Sequence, residues 1–234
     1  RRHSSAASDV YKRQIIGLNP GLAGSAIFIA LCIDAITDPL MGTISDRTNS
    51  SFGRRHPYMF ISFIPMSLGY ILLFAPRQEW DMSQTDLFIW MTIFTVITRI
   101  GMTLFDIPHR AFGGEVTKDY KERTILMSWR EMFAWVAGLS NAFLGYGVFF
   151  ASTPEFPQGQ LNPDVWFPFA LTGAAIMVFS VLYSSLSTKD EINSLSKWSG
   201  AISLKDIFNE LKIAIGNKSF LIFFFGNLFL SLAW

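Results

Sequence analysis

The stretch that decides the fold is LAGSAIFIALCIDAITDPLMGT, residues Leu22–Thr43. As a helix it is about 33 Å long at 1.5 Å per residue, enough to cross the hydrocarbon core of a bilayer. Asp34 and Asp38 stand four residues apart, so a helix places both carboxylates on one face. A carboxylate at that depth must face a cavity and have a partner. The stretch therefore predicts a transmembrane helix with a cation or proton site. The alternative is an interhelical salt bridge to a basic residue elsewhere.

The whole chain has the composition of a polytopic α-helical membrane protein. Half of its 234 residues are hydrophobic and 16% are charged, and the charges cluster between long apolar runs. The single cysteine, Cys32, excludes a disulfide framework. The sequence contains no HExxH motif, nucleophile elbow or phosphate-binding glycine loop, which disfavours an enzyme. No cofactor and no nucleic-acid partner is expected.

Further apolar runs predict four more complete spans and the beginning of a sixth. They cover 58–75, 87–110, 125–150 and 167–186, and the last begins at Phe220. The loops after the first, third and fifth spans (45–57, 111–124 and 187–218) carry eleven Lys and Arg residues, against one in the other two loops. By the positive-inside rule these three loops are cytoplasmic. The first span then enters from outside, so we expect an earlier helix and a multi-pass protein of the cell membrane.

The two ends of the chain are predicted to lie outside the membrane bundle. Residues 1–14 include DVYKRQ, whose back-translation resembles a transposase mosaic end, so they are predicted to be read-through sequencing-adapter sequence. Residues 15–186 form the bundle. In the loop 187–218, an apolar stripe predicts an amphipathic helix at the cytoplasmic interface or a linker helix between two bundles. Residues 219–234 begin the next span, and the chain is expected to be a fragment.

Polar residues in the third span share one helical face. Arg99, Thr103, Asp106 and Arg110 follow the spacing i, i+4, i+7 and i+11. Pro108 is predicted to break or kink this helix beside Asp106.

Depth along the helices predicts which of these residues meet. Asp34 lies level with Arg99, each about 16–18 Å from the cytoplasmic end of its helix. Asp38 lies level with Thr103, each about 10–12 Å in. If the two spans are neighbours, Arg99 pairs with Asp34, and Thr103 offers an oxygen beside Asp38.

The charges within the spans leave one negative charge in excess. The acids are Asp34, Asp38, Asp106 and Glu131, and the bases are Arg99, Arg110 and Arg130. One monovalent cation, or one proton on a buried carboxylate, would balance them. The set has too few assured oxygens for calcium. The alternative for Arg110 and Glu131 is a position near the interface, where their side chains reach water.

Several motifs together resemble the glycoside–pentoside–hexuronide:cation symporters, the melibiose-permease-like family of the major facilitator superfamily. They are DAITDPLMG (34–42), SDRTNSSFGRRHP (45–57), GMTLFDIP (101–108), and GGEVTKDYKERT (113–124) followed by Trp129-Arg130. The resemblance covers about residues 15–234 in the same order. It implies an all-α membrane protein whose six spans are helices two to seven of twelve. The fragment would then lack the first helix and most of the C-terminal bundle.

The resemblance also implies roles for individual residues. Asp34, Asp38 and Thr103 match the family's cation-binding positions, and Thr37 falls at a further cation ligand. Asp106 matches a carboxylate that hydrogen-bonds sugar hydroxyls, and Arg130 falls at or next to a sugar-contacting arginine. The cytoplasmic motif that latches the inner gate is matched by Gly42, Asp46, Arg47, Gly53, Arg54 and Arg55.

Arg99 and Arg110 have no counterpart in the family pattern. Two extra arginines near the cavity favour an anionic glycoside or uronide over a neutral disaccharide. In an alternative interpretation, the Arg99 guanidinium replaces the positive charge of the coupling cation. The expected function is Na⁺- or H⁺-coupled symport of a sugar, glycoside or uronide by alternating access, by a protein that is a monomer when full length. The alternatives are a transporter of lysolipids or other amphiphiles and a non-transporting membrane sensor.

Overall fold

The computed structural model describes residues 17–76, 78–117 and 119–189, together with 216–219, 221, 222 and 226. The chain divides into two compact units, residues 1–197 and 198–234. In the second unit, the Asn217 side chain accepts a hydrogen bond from the backbone N–H of Ser219, at 2.9 Å. The predicted adapter sequence and the predicted amphipathic helix lie outside the described residues.

Six α-helices make up the described part of the first unit. They are α1 (Pro20–Arg47), α2 (His56–Ile61), α3 (Phe63–Leu73), α4 (Gln84–Glu115), α5 (Tyr120–Leu144) and α6 (Trp166–Ser187). A π-helical turn, Gly145–Phe149, continues α5. Short 3₁₀ turns lie at Gln78–Trp80, Gly159–Leu161 and Pro163–Val165. Five of the resulting segments are long and apolar enough to cross a membrane, which confirms the predicted spans.

Side chains cap the starts of three long helices. The Asn19 side chain accepts from Gly21 N at 2.8 Å, with Pro20 at the first helical position of α1. Ser83 and Asp86 form a reciprocal capping box at the start of α4. Asp119 caps α5 by accepting from two backbone N–H groups. These caps satisfy backbone donors that no helical carbonyl can reach.

The helices differ from the predicted spans in two places. The second span is divided at Ser62 into α2 and α3, and Pro65 leaves the carbonyl of Ile61 without its helical donor. In contrast, α4 continues through Pro108 to Glu115, so the helix does not break there, and the kink given as the other possibility stays a prediction. Pro108 is fully buried against its neighbours. One missing hydrogen bond in a long, well-packed helix does not end it.

Helix α4 is the centre of the bundle, because α1, α2 and α3 all pack against it. Gly101 and Gly69 allow α3 and α4 to approach at backbone distance: a Cβ on Gly101 would lie 2.5 Å from Met66 N. An apolar core that includes Tyr70, Phe74 and Trp166 fills the end predicted to face outside. None of the residues of α5 is buried. Nothing lies within 4 Å of a Cβ on Gly138 of α5.

Candidate cation and substrate site

Helices α1 and α4 bring Asp34 and Arg99 together inside the bundle. Arg99 Nε donates to Asp34 Oδ2 at 2.7 Å, and Arg99 Nη2 lies 2.6 Å from the same oxygen in the ion pair. The Asp34 side chain is 10% exposed and that of Arg99 is 14% exposed, so water screens the pair little. This contact is the one that the depth estimate predicted. It is also the interhelical salt bridge considered as the alternative for Asp34.

One turn further along both helices, Thr103 contacts Asp38. Thr103 Oγ1 donates to Asp38 Oδ1 at 2.6 Å. Thr103 is buried and Asp38 is half-buried. Because the hydroxyl proton of Thr103 is directed at Asp38, its lone pairs remain available to a cation. The predicted neighbours therefore meet at this second level too.

The same turn of α1 carries buried oxygens that lack hydrogen-bond partners among the described residues. They are Asp34 Oδ1 and Thr37 Oγ1. An unpaired buried polar atom costs about 1–3 kcal/mol, so such atoms usually have a partner. Pro39 has no N–H, which also frees the carbonyl of Ala35 from its helical donor. Oxygen atoms of this kind are the ligands that hard cations prefer.

Of the four residues predicted to bind substrate, Arg99 is paired with Asp34, and the other three lie in more exposed positions. Arg110 Nε donates to Asp106 Oδ1 at 2.7 Å along α4, and the Arg110 side chain is 55% exposed. Arg130 Nη2 donates to Glu131 Oε1 at 2.8 Å on α5. Ion pairs exposed to this extent contribute about 0–1 kcal/mol. Both guanidinium groups can therefore exchange these partners for an anionic ligand at little cost.

Arg110 and Arg130 line the same cleft of about 350 Å³ between α4 and α5. Trp129 and His109 also line it, and His109 stacks on Phe105 with ring centroids 4.9 Å apart. His109 is not among the predicted site residues. The sequence feature that could have identified His109 is its position, one residue before Arg110 and three after Asp106. The cleft combines positive charge with an exposed indole ring.

A separate charge cluster lies at the end of the bundle predicted to be cytoplasmic. Arg55 Nη2 donates to Asp46 Oδ1 at 2.6 Å and to Glu115 Oε1 at 2.8 Å. Arg54 donates to the same Glu115 oxygen. Burial lowers the pKa of Arg55 from its usual value, and the charges of Asp46 and Glu115 oppose that shift. Glu115 was not among the predicted gate residues, although it lies in the quoted run GGEVTKDYKERT.

The other predicted gate residues have differing local reasons. Gly53 has φ +74°, a left-handed conformation that favours glycine. Gly42 has no such requirement, since a Cβ there would meet Ile107 Cγ2 at an ordinary 3.7 Å. Arg47 is the last residue of α1, where a cation complements the helix dipole.

Comparison with known proteins shows the family. The profile of the MFS/sugar transport protein family matches residues 5–234. The chain belongs to this family. The match begins inside residues 1–14, whose assignment as adapter sequence stays a prediction. Family membership and the five apolar helices make this part of a multi-pass membrane protein of a transport-protein family.

Three relatives of this MFS chain carry names that state a transported species or a symport activity. An uncharacterized symporter of Synechocystis sp. is 33% identical over 183 residues, 76% of this chain and 32% of the relative. A putative glycoside/cation symporter of Escherichia coli is 28% identical over 204 residues, 87% and 42% of the two chains. A sodium-dependent lysophosphatidylcholine symporter of Danio rerio is 28% identical over 151 residues, 62% and 27%. The chain thus spans less than half the length of these relatives.

Proposed function

We propose that the protein containing this chain is a secondary active transporter. It couples Na⁺ or H⁺ to the symport of a sugar, glycoside or uronide across the cell membrane. One observation carries the proposal: α1 and α4 present Asp34 with Arg99, and Asp38 with Thr103, at two successive turns. Ionisable groups placed this deep in a membrane protein are costly and are a usual mark of an ion pathway.

The proposed mechanism is alternating access. A cation bound beside Asp38 raises the affinity for substrate. The binding free energies of the cation and the substrate are then coupled, so each ligand raises the affinity for the other. The two halves of the full protein rock about the site, which lies near the middle of the bilayer in this class of transporter. Each inward opening must separate Arg55 from Asp46 and Glu115.

The cleft between α4 and α5 favours an anionic substrate. The side chains of Arg110 and Arg130 are 55% and 38% exposed, and they pair with Asp106, which is half-buried, and Glu131, which is exposed. Arginine binds carboxylates with two parallel hydrogen bonds. Trp129 is 53% exposed and offers an aromatic face to the apolar side of a sugar ring. A uronide or other acidic glycoside fits this combination better than a neutral disaccharide.

The test is uptake by the full-length protein in proteoliposomes. A panel of uronides and neutral glycosides is supplied under an imposed Na⁺ or H⁺ gradient. We expect gradient-driven accumulation of an acidic glycoside, which Arg130→Gln strongly reduces. Arg123→Gln is the matched control, because Arg123 donates to the backbone carbonyls of Gly114 and Thr117, outside the cleft. Absence of gradient-driven uptake of every sugar would refute the proposal.

A second candidate function is transport of a lysophospholipid. It is favoured by the similarity to the lysophosphatidylcholine symporter. Adding lysophosphatidylcholine to the same panel separates the two: a lipid transporter accumulates the lipid and ignores the glycosides. A non-transporting sensor would bind a ligand without any flux. We also propose that the full-length protein is a monomer, which its mass in detergent solution tests.

A further inference from the structure

We propose that Arg99 is a tethered cation that occupies Asp34 and so determines which coupling ion the site accepts. With the guanidinium in place, an alkali metal ion such as Na⁺ binds weakly. Without it, the Asp34 carboxylate is available to Na⁺. The proposal rests on the cation site of the proposed function and adds a specificity-determining residue to it.

The geometry gives Arg99 the position that a metal ion would take at Asp34. Two of its nitrogens, Nε and Nη2, lie 2.7 and 2.6 Å from the single oxygen Asp34 Oδ2. That oxygen is directed at the guanidinium, and its partner Oδ1 is buried without a hydrogen bond among the described residues. A side chain anchored on α4 therefore provides at Asp34 the positive charge that a free ion would otherwise provide.

The positive charge of Arg99 at Asp34 determines how strongly a metal ion binds there. The Arg99 guanidinium neutralises the Asp34 carboxylate with which it is paired. An incoming Na⁺ meets that guanidinium at Asp34, and the like charges repel strongly in a poorly solvated interior. Arginine keeps its charge at any physiological pH, so it cannot withdraw by losing a proton.

A purely structural role for Arg99 is the competing explanation. A clamp between α1 and α4 would stabilise the protein equally in every salt. A tethered cation predicts instead that the response to Na⁺ changes when the arginine charge is removed. The distinction can be measured on the purified protein without any substrate.

The experiment follows the melting midpoint of the full-length protein in detergent during a titration of NaCl against choline chloride at constant total salt. Wild type should show little Na⁺ stabilisation. Arg99→Gln should show a saturable rise, with an apparent Na⁺ affinity at least tenfold tighter, or about 1.4 kcal/mol. Arg99→Lys keeps the charge and should resemble wild type. The double variant Asp34→Asn/Arg99→Gln removes both charges and should lose the gain.

Two results would overturn the proposal. One is an Arg99→Gln protein with the same Na⁺ response as wild type. The other is saturable stabilisation of wild type by Na⁺ with an apparent Kd below about 1 mM, which decides the matter even if Arg99→Gln does not fold. The readout needs no sugar and no flux. A negative result here therefore leaves the transport test intact, and a failed transport test leaves this titration interpretable.

Discussion

The contact between Gly101 of α4 and Met66 of α3 makes a sharp prediction about Gly101→Ala. The new Cβ would lie 2.5 Å from Met66 N and 2.7 Å from Met66 Cα. Both are backbone atoms, so no side-chain rotation can relieve the overlap. Normal contact distances are about 3.5–4.0 Å, so α3 and α4 must separate by about 1 Å.

The magnitude follows from two opposing effects. Overpacking of this kind costs about 1–3 kcal/mol. Replacing glycine by alanine in a helix returns about 0.5–1 kcal/mol. The net expected loss is therefore about 1–2 kcal/mol. Because Arg99 and Thr103 lie two residues to either side of Gly101, the displaced helix would also disturb their contacts with α1.

The assay is the melting midpoint of the purified full-length protein, with Gly138→Ala as the matched control. A Cβ on Gly138 has nothing within 4 Å, so the control should be neutral or slightly stabilising. Gly101→Ala should melt about 2–8 °C lower, at about 2–4 °C per kcal/mol. If both variants melt at the same temperature, the close approach of α3 and α4 is not as described.

Two more substitutions test the predicted cytoplasmic end. Arg55→Gln leaves Asp46 and Glu115 without their shared partner. These acids are 50% and 28% exposed, so solvent screens their charges in part, and the expected loss of unfolding free energy is about 1–3 kcal/mol. The weakened contact should make the cytoplasmic end open more often, so a cysteine placed near the gate should be labelled faster from the cytoplasmic side. Unchanged labelling would count against a latch. Gly53→Ala forces an alanine to φ +74° and should cost about 1–3 kcal/mol of unfolding free energy, whereas Gly42→Ala should cost almost nothing. Equal melting midpoints for the two glycine variants would contradict that difference.

Much of the bundle was predictable, because length and apolar runs determine how many segments cross a membrane. The contact of Arg99 with Asp34 was also predictable, since the rise per residue places both at the same depth. The roles of these residues in ion binding stay predictions. The division at Ser62 and the continuity through Pro108 were not predictable, because a proline's effect depends on how its neighbours pack around it.

The surroundings of the predicted substrate residues could not be predicted either. Sequence spacing shows that Asp106 and Arg110 share a face of α4, and the structure adds that they contact one another. Sequence spacing does not show that Arg110 and Arg130 line one cleft, because that depends on the rotation of α5 about its own axis. The role of Glu115 was not predicted either, because its partner Arg55 is distant in sequence and contacts it only in the packed bundle.

The most direct test of the two-carboxylate site is the cation dependence of uptake by Asp38→Asn in the full-length protein. The substitution keeps the size of the side chain and its contact with Thr103 while removing the charge. Asp81→Asn, in an exposed loop, is the matched control. We predict that Asp38→Asn inserts normally but loses stimulation of uptake by Na⁺ or H⁺, while Asp81→Asn keeps it. Undiminished stimulation in Asp38→Asn would contradict the account.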